Sequence, residues 1–221
     1  MSVDYAETAR FNMIEQQIRP CDITDESVLR VLQQVPREHF VPPAYQHLAF
    51  ADTAVPLDDQ HSMMTPRQEA ILLQALAVQP GDRVLEIGTN SGFLTACLLA
   101  LGGQVTSCEI IPELNARAAA ALHEYDPAHQ AELIADDIFQ AEFPAHHFDA
   151  IAVTGSVSVV PDLFLSWLAP GGRLFCVAGE PPVMQAQRLV REMSGAVQVM
   201  NLCEMLLEPL QQAPRPEPFV F

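Results

Sequence analysis

The chain has 221 residues, 49% of them hydrophobic, which separates it from a disordered chain and suffices for one sizeable α/β domain. Its formal net charge is −17, with only 11 lysines and arginines, so an extended nucleic-acid surface that sets cations against phosphate is disfavoured. Cys21, Cys97, Cys108, Cys176 and Cys203 stand far apart, with no Cys-x-x-Cys pair and no histidine cluster beside them, which argues against a zinc site, any other metal centre or a disulfide framework.

The first ten residues, "MSVDYAETAR", contain no apolar signal core, so a reducing cytoplasm is the expected compartment. The uncharged stretch Ile87 to Cys108 is apolar only from Phe93 to Leu101, well short of the ~20 residues a membrane span needs. No membrane partner is expected.

Within residues 1–60, "ARFNMIEQQI" and "DESVLRVLQQV" are amphipathic helix patterns separated by Pro20. The segment "VPREHFVPPAYQHLAFADTAVPL" that follows is proline-rich and irregular. This part is expected to form a helical cap over one end of a sheet. It would belong to a single domain, 1–221, whose cofactor-binding core is 61–221.

From Pro66 onward, helix and strand patterns alternate. "PRQEAILLQALAV" predicts a helix, "PGD" a turn and "RVLEI" a buried strand. "SGFLTACLLAL" predicts a second helix closed by Gly102-Gly103, and "QVTSCEI" a second strand. "PELNARAAAALHEY" starts a third helix with Pro112 at its first position. "AELIA" and "FDAIAVT" predict the third and fourth strands, "PDLFLSWLA" a helix and "RLFCVAG" the fifth strand. Segments around Gln187 to Met193 and Val197 to Leu207 predict a closing antiparallel pair. The expected fold is α/β: a doubly wound, mostly parallel seven-stranded sheet with an N-terminal helical cap.

Ligands of doubly wound sheets bind at the carboxyl ends of the strands. The stretch "VLEIGTNSGF", Val84 to Phe93, is such a strand, a glycine turn and a helix start. A dinucleotide site wants Gly-x-Gly-x-x-Gly, but Asn90 and Phe93 occupy the second and third glycine positions. No Gly-Lys-Ser/Thr follows, so a phosphate loop is absent too. An adenosyl group without phosphates fits better, with Gly88, Thr89, Asn90, Ser91 and Gly92 forming the loop. Glu86, Glu109 and Asp136 then make an acidic rim after three successive strands. A carboxylate at Glu109, beside Ile110, offers two acceptor oxygens to ribose hydroxyls. "ADDIF" supplies Asp136, Asp137 and Ile138 for the adenine, and Thr154, Gly155 and Ser156 follow the fourth strand where a methyl group would lie. A cationic sulfonium suits this rim, which points to S-adenosylmethionine as cofactor and S-adenosylhomocysteine as product.

The motifs "VPREHFVP", "AFADTAVPL", "PGDRVLEIGTNSGF", "FDAIAVTGS", "VPDLFLSWLAPGGRL" and "VAG" occur in the order found in the protein-L-isoaspartate O-methyltransferases, and the chain resembles that family along nearly its whole length. The resemblance implies a doubly wound, Rossmann-like methyltransferase fold and methyl transfer to the free carboxylate of a damaged aspartyl residue in a peptide or protein, a repair reaction.

In the resembling family the loop before the first core helix reads Gly-Gln-Thr-Ile-Ser, one residue, then Pro. Aligned on Pro66, the family's threonine falls on Ser62 and its serine on Met64. The family's serine contacts the substrate carboxylate, and a thioether cannot donate that hydrogen bond. Ser62 and Met64 are therefore the acceptor-loop residues at issue. Met63 and Met64 either plug the cap against the sheet or line the acceptor pocket. Thr65 reads as the N-cap of a capping box with Gln68. His61, His146 and His147 read as solvent-facing. Three functions stay open: an isoaspartyl repair enzyme, a related methyltransferase with another acceptor, and a cofactor-binding protein that has lost catalysis.

Overall fold

The computed structural model describes residues 3–214; the ends of the expected 1–221 domain lie outside the described residues. Helix α1 (Val3–Met13) runs into a single wide turn at Ile14–Ile18, and Pro20 closes it in a short 3-10 turn, Arg19–Cys21. Helix α2 (Glu26–Gln34) begins where the Asp25 carboxylate accepts from the backbone N–H groups of Ser27 and Val28. The proline-rich segment forms two more 3-10 turns, Arg37–His39 and Pro43–Leu48. Short strands β1 (Val55–Pro56) and β2 (Ser62–Met63) then pair antiparallel across the loop that leads to helix α3 (Pro66–Leu76).

The core is a seven-stranded sheet of β3 (Arg83–Ile87), β4 (Gln104–Cys108), β5 (Glu132–Ile134), β6 (Phe148–Val157), β7 (Leu168–Glu180), β8 (Val183–Arg191) and β9 (Val197–Glu204). Its spatial order is β5-β4-β3-β6-β7-β8-β9. Strands β3 to β7 are parallel, and β8 and β9 close the edge antiparallel. This is the doubly wound, mostly parallel seven-stranded sheet expected above. The closing pair differs in extent: β8 starts at Val183, and Glu192 and Met193 lie in the turn before β9, where the Glu192 N–H donates to the Ala196 carbonyl at 2.8 Å.

Strand parity sorts the core into two layers. Val84, Val105, Ala150, Ala152 and Phe175 face helices α3 and α4 (Phe93–Ala100). Leu85, Ile87, Ile151, Val153 and Leu174 face α6 (Asp162–Trp167). The cap helices α1 and α2 and the wide turn between them bury Met13, Ile18, Leu29 and Leu32 in the first layer. The cap therefore rests on α3 and α4 along one face of the sheet, and its apolar side chains share a core with them. Helix α5 (Pro112–Tyr125) reaches that layer through Leu122, and the ring of His39 in the cap meets the Ala121 carbonyl at 2.9 Å.

Strand order reverses between β3 and β6: the chain leaves β3 for β4 and β5 on one side and returns to β6 on the other. A crevice opens at such a switch point, outside the carboxyl ends of the strands.

Candidate active site

A cavity of about 410 Å³ lies at that switch point. It brings together Ile87 and Gly88 after β3, Glu109 and Ile110 after β4, Asp136, Asp137 and Ile138 after β5, and Thr154 and Gly155 on β6. The loop Ser62, Met63, Met64 forms another wall.

Gly88 makes the close turn after β3. Its φ is +95°, and a Cβ there would collide with Thr154 Oγ1. The Thr154 hydroxyl lies within reach of two carbonyls, Ile87 O at 2.9 Å and Gly88 O at 2.8 Å, and so pins the turn against β6. Asn90, also in the left-handed region at φ +57°, donates its backbone N–H to Glu109 Oε2 at 2.9 Å and its side-chain amide to the Ser62 carbonyl at 3.1 Å. It thus links the cofactor loop to the acceptor loop. Glu109 Oε1 accepts from the Ile111 N–H at 3.1 Å. Glu109 is buried and lines the cavity, and each of its oxygens accepts one bond and has capacity for another.

Asp136 is exposed and Asp137 half-buried at the cavity edge, where Asp136 Oδ1 accepts from the Asp137 N–H at 2.8 Å and Asp137 Oδ1 from the Phe139 N–H at 2.9 Å. Cys108 lines the cavity as well; burial pushes its thiol up to about 11, and it donates to the Asp136 carbonyl at 3.1 Å. It stays a neutral thiol there.

Of the residues expected around the cofactor, Glu86, Thr89, Ser91, Gly92 and Ser156 do not line this cavity. Glu86 is fully buried under α4, on the same strand face as Val84. Its Oε2 accepts from Thr95 Oγ1 at 2.5 Å and from Ser107 Oγ, its cross-strand neighbour, at 2.6 Å. Thr89 is buried too, its hydroxyl 2.6 Å from Ser107 Oγ. Since Ser107 spends its one proton on Glu86, Thr89 is the donor in that pair. Glu86 is thus removed from the acidic rim and becomes the centre of an internal network beneath the loop. Ser91 accepts from the Phe93 N–H at 3.3 Å at the start of α4. Gly92, φ +84°, lacks a side chain because one would press on Ala118 and Leu122 of α5 at 3.3 Å, so it serves helix packing and not ligand approach.

The acceptor loop is held from three sides. Thr65 caps α3 in a capping box: its hydroxyl accepts from the Gln68 N–H at 3.3 Å and Gln68 Oε1 accepts from the Thr65 N–H at 2.9 Å. The Met64 carbonyl accepts from Arg37 Nη2 at 2.7 Å. Met63 is buried against the core and Met64 half-buried, and both also line the cavity, so plugging and lining are combined. His61 lines the cavity mouth, bonded to Asp58 Oδ1 at 2.8 Å. The Gln60 N–H and the His61 ring hold the Asp58 carboxyl down at about 2, so it is anionic. His146 meets the Leu168 carbonyl at 3.2 Å, far from the cavity lining.

Sequence reasoning missed one wall entirely. The segment after β9, Leu206 to Gln211, folds back over the end of β6. The Ser156 N–H donates to Glu208 O at 2.8 Å, the Leu210 N–H to Ser156 O at 2.9 Å, and the Ser156 hydroxyl to Leu207 O at 3.0 Å. Gly155 leaves room for it, since a Cβ there would lie 2.8 Å from Leu210. No motif marks this segment, and Leu206 and Leu207, expected to continue the closing strand, lie past its end at Glu204. No lysine or arginine lines the cavity among the described residues, and none of their side-chain clusters could hold a metal ion.

The sequence profile of the protein-L-isoaspartate(D-aspartate) O-methyltransferases matches residues 8–213. A protein-L-isoaspartate O-methyltransferase 1 of Anaeromyxobacter sp. (strain Fw109-5) is 38% identical over 80% of this chain and 84% of its own. The protein-L-isoaspartate O-methyltransferase of Methanoculleus marisnigri is 32% identical over 95% of this chain and 94% of its own. In three dimensions the chain resembles a candidate protein-L-isoaspartate O-methyltransferase of Plasmodium falciparum, solved with S-adenosyl-L-homocysteine, with a TM-score of 0.81 at 20% identity over 94% of this chain and 98% of that one. A match across nearly the whole length, with relatives above 30% identity, settles the lineage: the chain belongs to the protein-L-isoaspartate(D-aspartate) O-methyltransferase family.

Proposed function

We propose that this protein transfers the methyl group of S-adenosylmethionine to the free carboxylate of an isoaspartyl residue in a peptide or protein. The observation that carries the reading is Glu109, a buried carboxylate locked by the Asn90 and Ile111 N–H groups and open to the cavity beside the Gly88 turn. Its remaining acceptor capacity suits the two hydroxyls of a ribose. Gly88 and Asn90 would meet the cofactor's amino-acid end, Ile110 would flank the ribose, Asp136, Asp137 and Ile138 would take the adenine, and Thr154 would stand beside the methyl group. The cofactor supplies a methyl activated by a positively charged sulfur. An acceptor carboxylate is already ionised at neutral pH, so no side chain has to act as base. One carboxylate oxygen bonds to the methyl carbon, and the carbon–sulfur bond breaks with its electron pair going to sulfur, leaving a neutral thioether. The chain's own task is alignment and exclusion of water.

Two further parts of the reading rest on composition and packing. The net charge of −17 and the five unpaired cysteines favour a protein substrate over a nucleic acid and a reducing cytoplasm over an oxidising compartment. Among the described residues, no helix is long and apolar enough to cross a membrane. The core shared between residues 1–60 and the sheet supports treating 1–221 as one domain.

One observation favours a second reading, a methyltransferase with a different acceptor. The acceptor wall carries four apolar side chains, Met63, Met64, Leu206 and Leu207, and no lysine or arginine lines the cavity among the described residues. A methyl-transfer assay on an isoaspartyl peptide, beside calorimetry with S-adenosylmethionine, separates the readings. Turnover supports the first. Cofactor binding without turnover favours the second, or a binder without catalysis. Failure to bind the cofactor would refute both methyltransferase readings.

A further inference from the structure

Gln68 uses both ends of its amide on backbone. Its Oε1 accepts from the Thr65 N–H at 2.9 Å and completes the cap of α3, while its Nε2 donates to the Leu206 carbonyl at 3.1 Å. Both partners fix the amide's orientation, since Thr65 N can only donate and Leu206 O can only accept. Thr65 ends the acceptor loop, and Leu206 begins the segment that folds over the end of β6. That segment is fastened at its middle by the main chain and hydroxyl of Ser156. At its far end, Gln211 Nε2 comes within 3.3 Å of His61 Nε2. Among the described residues, Gln68 alone supplies a side-chain hydrogen bond between the turn from β9 into this wall and the acceptor loop's end.

We propose that Gln68 is a positioning residue that sets the width of the acceptor entrance, by tying the Leu206–Gln211 segment to the acceptor loop across the cavity. A capping box needs only the acceptor oxygen at this position, and glutamate serves it equally well. The donor nitrogen is what capping leaves unexplained, and it points to the second wall. The cofactor's side of the cavity, Glu109 and Asp136 to Ile138, follows β4 and β5 at the other end of the strand order, so the tie acts on the acceptor and not on the cofactor. This rests on the reading that a peptide carboxylate enters between the two walls.

Gln68→Glu separates the roles, because a carboxylate keeps the bond from Thr65 N and repels the Leu206 carbonyl. Gln68→Ala removes both. For Gln68→Glu the expected result is an unchanged or raised melting temperature, unchanged S-adenosylmethionine affinity, and a rise of about five- to tenfold in the peptide's KM, the factor one lost neutral hydrogen bond is worth. Amide exchange at Leu210 and Ser156, both bonded across the segment, should quicken while α3 amides do not change. Gln68→Ala should match it in KM and exchange but melt lower. If Gln68→Glu behaves as wild type in KM and exchange and only Gln68→Ala is impaired, Gln68 is a cap and the proposal fails. A fall in cofactor affinity in Gln68→Glu would also overturn it. Should the wild type not methylate an isoaspartyl peptide, the functional reading fails, and the exchange measurement alone still decides whether Gln68 ties the two walls.

Discussion

Glu109 holds the turn that follows β3, with its Oε2 accepting the backbone N–H of Asn90 at 2.9 Å. The same carboxylate is therefore both a support of the loop and the proposed ribose ligand. Glu109→Ala should weaken S-adenosylmethionine binding by at least ~1.5–3 kcal/mol, the worth of hydrogen bonds to a charged group, since the loop loosens as well. Calorimetry checks this, and an unchanged affinity would remove Glu109 from the cofactor site.

Gly88→Ala puts a Cβ against Thr154 Oγ1 at a backbone angle, φ +95°, that side chains avoid. The turn must shift or Thr154 must leave its two carbonyls. We expect cofactor affinity to fall by more than about tenfold while unfolding stays cooperative, because the left-handed strain alone costs roughly 1–2 kcal/mol. A Thr154→Ala background should recover part of the loss; normal binding by Gly88→Ala would place the cofactor elsewhere.

Burial raises the Glu86 carboxyl to about 7 from an ordinary 4.5, against the pull of the Ser107 and Thr95 hydroxyls. The folded protein thus holds this proton more tightly than the unfolded chain does. The stabilisation is full below the unfolded value and is lost as pH rises through about 7, a change of roughly 3 kcal/mol. Glu86→Gln cannot titrate. Urea unfolding at a series of pH values should show the variant gaining on the wild type from about pH 5 to 8. A constant difference would mean that Glu86 does not titrate in that window.

Met64→Ser returns a hydroxyl to the acceptor loop. If the wild type acts weakly on isoaspartyl peptides, the variant should gain, by at most the ten- to hundredfold that ~1.5–3 kcal/mol represents. Cofactor affinity should stay level, since Met64 is remote from β4 and β5. Strong turnover by the wild type would show that this loop has not been retuned away from isoaspartate.

Much of this was legible beforehand, and the gaps have specific causes. The strands announced themselves as short apolar runs before Gly or acid, and Pro66 with Gln68 announced the start of α3. Glu86 and Glu109 looked alike as strand-end acids; what separates them is parity, which turns Glu86 under α4 beside Ser107 and leaves Glu109 past the last strand residue, at the open end. Gly88 and Gly92 also looked alike. One is small for the turn at Thr154 and the other for α5, and spacing does not tell a ligand from a neighbouring helix. The Leu206–Gln211 wall is hard to read because the segment is held by its main chain: Ser156, Gln68 and its own Leu210 N–H all bond through its backbone groups, which leave no signature in residue type.

Arg37 lies wholly inside the protein. It bonds Glu69 at 2.9 Å, the Ala49 and Met64 carbonyls at 2.7 Å, and lies over the ring of Phe93. The backbone at Met64 is therefore gripped from behind by a buried charge, while the half-buried side chain at 64 lines the cavity. Such a loop can exchange what it shows a substrate without moving where it stands. Acceptor preference in this lineage is then free to drift one side chain at a time, on a footing that the first forty residues keep still.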